Sequence, residues 1–377
     1  MSAGRTPLWR LFHPRIARST FAPLSKMNAH SAGILKHLRR LYDDQTRAFA
    51  FRGQTPDDFR TWSRRARPAL RTLIGLGSIE ESGKGFAPRV SSGPVESLEG
   101  YSRRQCILHA EPDFDVPFWC LTPASAGPHP IALFPHGHYA EHGLDFAVGI
   151  AATPDLAARI EDEDRDVAVQ AVRLGFMAIA PATRGFHPVC IGDLNGRHGN
   201  SHCRSHLIHS LLAGRTPIGE RVWDLQCLID WAVAQPGVDA TKVVMMGNSG
   251  GGVATLYAAA CDERITVAVA SCSFCTFVGE DGLVHHCDCN TVPGILRFGE
   301  FWDVAGLIAP RPLLLVHGAT DPLFPAREIE RAVAGVARIY EAAGAATRMA
   351  HVWGPAGHRF YRDLMWPFVL EQCGLRS

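Results

Sequence analysis

Val243-Val-Met-Met-Gly-Asn-Ser249-Gly-Gly-Gly-Val-Ala-Thr-Leu-Tyr-Ala-Ala-Ala260 decides how this chain folds. Four apolar residues read as a buried strand. Small residues from Gly252 to Ala260 read as a helix packed close to it. Between them stands Gly247-Asn-Ser249-Gly-Gly251, a G-x-S-x-G turn. A strand that reverses sharply into a helix forces its central residue into an unfavourable backbone conformation, so its neighbours must lack bulk. Gly247 and Gly251 meet that need. The turn lifts the Ser249 hydroxyl to a helix N-terminus, where backbone N–H groups and the helix dipole favour negative charge.

Outward from this turn, strands alternate with helices, the mark of a largely parallel sheet covered on both faces. Ile131-Ala-Leu-Phe, Phe176-Met-Ala-Ile-Ala, Thr266-Val-Ala-Val-Ala and Pro312-Leu-Leu-Leu-Val-His are further strands, and Glu220 to Ala234 is an amphipathic helix. Cys106 to Ala110 and Val116 to Leu121 form an antiparallel pair before them. Residues 185–215 and 274–301 fit neither element and read as inserted loops on the edge where such sheets place their sites. Residues 29–95 read as a helical N-terminal region, with Thr55 as N-cap and Pro56 in the first turn of its second helix. Residues 96–377 hold the alternating pattern. Residues 1–28 are rich in Arg and Lys and read as a basic tail expected to be disordered, with organelle targeting the alternative.

A serine needs a base, and the base needs an orienting acid. His358 lies in the loop Trp353-Gly-Pro-Ala-Gly-His before the last helix, whereas His351 sits within the preceding strand. Asp321 follows a strand in Gly318-Ala-Thr-Asp-Pro. The order Ser249, Asp321, His358 is that of one known hydrolytic arrangement. Gly250 is the first candidate oxyanion donor. His138, and after it Tyr139, is the candidate for the second, from the loop Pro135-His-Gly-His138-Tyr139. Phe274, Phe301 and Trp302 are candidate pocket walls.

The chain has 377 residues, 46% hydrophobic and 20% charged, with a net charge of +1. That balance gives no sign of a nucleic-acid partner, and no apolar run is long enough to cross a bilayer. Eleven cysteines in so long a chain read as reduced, mostly buried thiols of a cytoplasmic protein. His198, His202, Cys203, His206 and His209 crowd one loop, and His285, His286, Cys287 and Cys289 another. Ligand spacing for zinc is available in both. Pocket lining is the simpler expectation, with no metal and no cofactor. Cys272-x-x-Cys275 lacks a helix start and reads as buried thiols rather than a redox pair.

With these residues in place, the chain resembles the acetyl xylan esterase and dienelactone hydrolase branch of the α/β-hydrolases. The likeness runs from about Thr55 onward. It rests on Pro135-His-Gly-His, Arg184-Gly, Arg221-x-x-Asp224 with Trp231, Gly-Asn-Ser-Gly-Gly, Cys287-Asp-Cys-Asn-Thr-Val-Pro-Gly, Ala309-Pro-Arg-Pro-Leu-Leu and Gly-His358. His138 departs from it, since these esterases often carry an aromatic residue there. The resemblance implies an α/β-hydrolase fold and a serine carboxylesterase removing acetyl or other small acyl groups, often from carbohydrates, through an acyl-enzyme. The partner expected is a small-molecule ester; the oligomeric state is not legible. Two alternatives stay open: the same triad acting on a thioester, lactone, amide or carbon–carbon bond, and a non-catalytic or metal-binding relative.

Overall fold

The computed structural model describes residues 29–43, 46–139, 142–195 and 202–375. The basic tail and His198 lie outside them. The chain begins with helices α1 (Ala29–Leu41), α2 (Pro56–Leu73) and α3 (Leu76–Ser82). Strands β1 (Arg89–Ser92), β2 (Glu96–Leu98), β3 (Tyr101–Glu111), β4 (Phe114–Pro123) and β5 (His129–Leu133) follow. Next come α4 (Gly143–Phe146), α5 (Pro154–Asp162), α6 (Val167–Arg173), β6 (Met177–Pro181), α7 (His202–Leu212), α8 (Pro217–Val233), β7 (Val238–Asn248) and α9 (Gly250–Cys261). The last elements are β8 (Val267–Ser271), α10 (Ile295–Phe298), α11 (Phe301–Gly306), β9 (Leu313–Gly318), α12 (Ala326–Ala342), β10 (Met349–Gly354) and α13 (Arg362–Gln372).

The strands form one sheet in the order β1-β3-β4-β6-β5-β7-β8-β9-β10, with β2 also on β3. Pairing is antiparallel from β1 to β6 and parallel from β6 onward. Strands β5, β6, β8 and β9 are buried along their whole length, so they read as continuous apolar runs rather than alternating ones. One face packs on α2, α3, α8, α9, α11 and α12; the other packs on α6 and α13. Strand order reverses at β5, between β6 and β7. The crevice at such a reversal, outside the C-terminal ends of the strands, is where ligands bind in open α/β sheets.

The N-terminal region is integral to this body. Thr55 caps α2 as its sequence suggests, its hydroxyl accepting from Asp58 N–H while the Asp58 carboxylate accepts from Thr55 N–H. Phe59, Ala66 and Leu70 of α2 are buried. Arg67 and Arg71 donate to the carbonyls of Ala260 and Cys261 at the end of α9, and Arg311 donates to that of Ala259. A change of texture placed near residue 96 falls inside the sheet, because β1 already pairs with β3. Two readings of local structure differ. Residues 46–55 interrupt the helical region, and the 185–215 insertion carries the helix α7. The low amphipathicity of α7, with histidines spread around it, hides its period.

Candidate active site

Ser249 stands between β7 and α9 at φ 58° and ψ −127°. A positive φ is costly for a residue with a Cβ. The turn is held by crowding that only glycine permits: a Cβ on Gly247 would lie 2.3 Å from the Gly251 carbonyl carbon, and one on Gly251 1.9 Å from the Pro135 carbonyl oxygen. Ser249 N–H donates to the Ser271 carbonyl at 2.9 Å. The N–H of Gly250 opens α9, where the first turn has no intrahelical acceptor.

His358 Nδ1 donates to Asp321 Oδ2 at 2.7 Å, and Asp321 Oδ1 accepts from Leu323 N–H at 2.9 Å. This leaves His358 Nε2 for another partner. Burial alone would raise the Asp321 carboxyl, but the His358 hydrogen bond and charge outweigh it and hold it below the ordinary value. The loop bearing His358 is stitched to the serine turn. The Arg359 carbonyl accepts from Asn248 Nδ2 at 3.1 Å and from the Ser271 hydroxyl at 2.8 Å. Cys272 lies beside the His–Asp pair, with its sulfur within 4.8 Å of both. Burial and the Asp321 charge push its thiol up to about 12, so it stays protonated.

The loop after β5 closes the other side. A Cβ on Gly137 would sit 2.8 Å from the Asn248 carbonyl oxygen, 3.0 Å from Ser249 Cβ and 3.2 Å from Gly250 N. His136 anchors this loop: its Nδ1 donates to the Gly137 carbonyl and its Nε2 accepts from Thr183 N–H. The Tyr139 hydroxyl donates to Asn248 Oδ1, while the Arg165 guanidinium lies 3.6 Å from the Tyr139 ring centroid.

Asn248, an unremarked position within the G-x-S-x-G pattern, therefore ties three segments together: the 136–139 loop, the end of β8 and the His358 loop. Phe186 was also missed. Its ring would meet a Cβ on Gly250 at 3.0 Å and lies 4.2 Å from the His138 ring. Its position after β6 on the C-terminal edge was the available signal.

Two of the three expected pocket walls, Phe274 and Phe301, need correction. Phe274 and Phe301 are fully buried, their rings tilted against each other with centroids 5.1 Å apart, and Phe301 also contacts Tyr257 and Phe277. They are core. Trp302 packs over Gly335 of α12. Behind β6, Arg184 forms a bidentate pair with Asp224 and a 2.6 Å bond to Glu111, all buried. A cavity of about 10 Å³, room for roughly one water, lies against Arg184, Arg221 and Asp224 and is too small for a substrate.

The two His/Cys-rich segments do not act as units. His206 bonds to Glu220, His286 donates to the Thr276 carbonyl, and Cys190 faces His202. Cys203, Cys287 and Cys289 instead converge on His138, with all four ligand atoms within 4.8 Å of one another. The eleven cysteines form no disulfide. Among the described residues, no helix is long and apolar enough to cross a membrane.

Sheet order, serine turn and late histidine together define the α/β-hydrolase fold. No protein-family model matches the chain. A protein provisionally assigned as a hydrolase, YtaP of Bacillus subtilis (strain 168), is 26% identical over 244 residues, 62% of this chain and 74% of its own. Among solved structures, one provisionally assigned as an acetyl xylan esterase from Bacteroides fragilis matches with a TM-score of 0.68 at 18% identity, covering 93% of this chain and 91% of that one. A glucuronoyl esterase from Solibacter usitatus matches with a TM-score of 0.58 at 15% identity, covering 82% and 92%. The resemblance drawn from the motifs thus agrees with the fold these structures share.

Proposed function

We propose that this chain is a serine carboxylesterase acting on small acyl esters, with carbohydrate esters the preferred class. The observation that carries the reading is the His358–Asp321 hydrogen bond of 2.7 Å, on a loop stitched to a strained serine turn. In this mechanism Ser249 attacks the ester carbonyl as His358 Nε2 takes its proton. Asp321 fixes the imidazole tautomer and stabilises the imidazolium. Gly250 N–H and a backbone N–H of the His138–Tyr139 segment receive the negative charge that develops on the carbonyl oxygen. His358 then protonates the leaving alcohol, and water repeats the sequence on the acyl-enzyme. Phe186 lies against Gly250, the residue after the serine. Of the two structural neighbours above, one is provisionally named an acetyl xylan esterase and the other a glucuronoyl esterase, so acetyl and glucuronoyl esters both belong in a substrate panel.

Intact mass after fluorophosphonate treatment tests the chemistry. One adduct on the wild type and none on Ser249→Ala is expected; a folded wild-type protein with no adduct refutes the assignment. Rates on p-nitrophenyl acetate, butyrate and hexanoate, acetylated xylo-oligosaccharides and methyl glucuronate then rank acyl and leaving groups. A preference for a thioester, lactone or amide would redirect the substrate class without touching the triad.

A further inference from the structure

We propose that His138, Cys203, Cys287 and Cys289 form a zinc site that clamps the loop beside Ser249. His138 Nε2 lies 2.9 Å from Cys203 Sγ and 3.4 Å from the Sγ atoms of both Cys287 and Cys289. The latter two sulfurs are 3.5 Å apart. Tetrahedral zinc, with bonds of about 2.3 Å to sulfur and 2.0–2.1 Å to nitrogen, requires ligand atoms about 3.5–3.8 Å apart. The separations of His138 Nε2 from Cys287 and Cys289 and of those two sulfurs from each other stand near these values; His138–Cys203 is shorter, and Cys203 Sγ lies within 4.8 Å of both other sulfurs. Three thiols brought this close without a disulfide between them have no better common partner than a metal. The donor set selects the ion: three thiolates and an imidazole at tetrahedral spacing suit zinc, whereas magnesium and calcium need oxygen. An iron–sulfur cluster, whose cysteines bind different irons, would need them farther apart.

The surroundings fit an ion with three thiolates, whose net charge is −1. Arg221, fully buried, donates to the Cys289 carbonyl and to Asn290 Oδ1, both at 3.3 Å, and places a positive charge beside the site. Arg204 pairs with Asp288 at 2.9 Å, joining the start of α7 to the Cys287–Cys289 segment a second time. Four protein ligands fill the coordination sphere, so the ion is structural and offers no open position to substrate. Its effect passes through His138: the ring that binds zinc belongs to the residue next to Gly137, whose backbone lies against Ser249 and Gly250. Binding releases the thiol protons to solvent and ties together three segments far apart in sequence.

Elemental analysis of protein purified without chelator, followed by cobalt substitution under reducing conditions, tests the site. About one zinc per chain is expected. Cobalt should give thiolate charge-transfer bands and the intense visible bands of a tetrahedral ion. Cys203→Ser, Cys287→Ser and His138→Ala should each lose most of the metal, whereas Cys190→Ser should keep it. A folded wild-type protein that carries only traces of zinc and takes up neither zinc nor cobalt overturns the proposal. So does loss of metal from Cys190→Ser alone. If the ligand variants fail to fold, the cobalt spectrum of the wild type decides the matter, because an octahedral or thiolate-free spectrum also overturns it. Zinc content of Ser249→Ala separates this site from the esterase reading: that variant should lose fluorophosphonate reactivity and keep its metal.

Discussion

Replacing Gly137 with alanine puts a single methyl group where the loop after β5 meets the serine turn. Nothing in its backbone forbids alanine, since its φ is not among the positive values. The obstacle is steric. The new Cβ would stand 2.8 Å from the Asn248 carbonyl oxygen, 3.0 Å from Ser249 Cβ and 3.2 Å from Gly250 N, and two of these are backbone atoms that cannot swing aside. Ordinary contact begins at about 3.5 Å, so loop and turn must part by about 0.7 Å. A displacement of 1 Å at a reacting centre costs about a hundredfold, so kcat should fall roughly thirtyfold, or about 2 kcal/mol in the barrier. The loss should fall mainly on kcat, because the affected donors act on charge that develops in the transition state. Overpacking should also cost about 1–3 kcal/mol of stability. Steady-state kinetics on p-nitrophenyl acetate, the rate of fluorophosphonate labelling and urea denaturation measure all three. Gly77→Ala is the control, since a Cβ there meets nothing within 4 Å. A Gly137→Ala protein that folds and keeps kcat within about twofold of the wild type would refute the oxyanion role proposed for this loop.

On the proposed mechanism, Asp321→Asn should leave the fold intact and lower kcat by about ten-thousandfold, because an amide no longer selects the His358 tautomer; a loss below about tenfold in a folded variant would remove Asp321 from the proposed triad. Asn248→Ala removes side-chain hydrogen bonds to Tyr139, Ser271 and Arg359. At about 1 kcal/mol each, it should cost about 2–3 kcal/mol in urea denaturation and lower kcat as well. His317 is buried and bonded to the Phe274 carbonyl, and burial lowers its pKa from 6.5 to about 4. Above pH 6.5 it is neutral in both folded and unfolded chains. As pH falls from there toward 4 the unfolded chain alone takes the proton, so stability is lost, by about 2 kcal/mol at pH 5. His317→Gln should flatten the stability profile between pH 7 and 5 by that amount, and an unchanged slope would show that another group titrates there.

The parts of this molecule that could be read from sequence are those where one local pattern carries its own geometry. The G-x-S-x-G turn needs its glycines at set offsets, and Asp321 and His358 each follow an apolar run on neighbouring parallel strands, so the pairing of those strands brings the two side chains together. Thr55 and Pro56 announce the start of α2 for the same reason. Phe274 and Phe301 were misread as pocket walls because an aromatic residue after a strand looks the same whether it faces solvent or core. Asn248 could not be singled out, since its partners lie in three other segments. The Cys/His cluster was visible as composition but not as a site. Its members come from the loop after β5, from α7 and from the 287–289 segment, Cys203 following His138 by 65 positions, and counting histidines within each loop grouped the wrong ones.

The seating of α2 has a consequence for how this chain can vary in length. Its buried residues Phe59, Ala66 and Leu70 face the core, while Arg67 and Arg71, four residues apart on the same helix, reach the last carbonyls of α9. Both attachments depend on one angular phase. Adding or removing a single residue between Phe59 and Ala66 would rotate everything after it by about 100°, carrying the guanidinium groups off the carbonyls or turning Phe59 outward. Point changes on the exposed face of α2 should be absorbed with little effect. An insertion or deletion in its middle should not, and the spacing from Phe59 to Arg71 is in that sense a measured length.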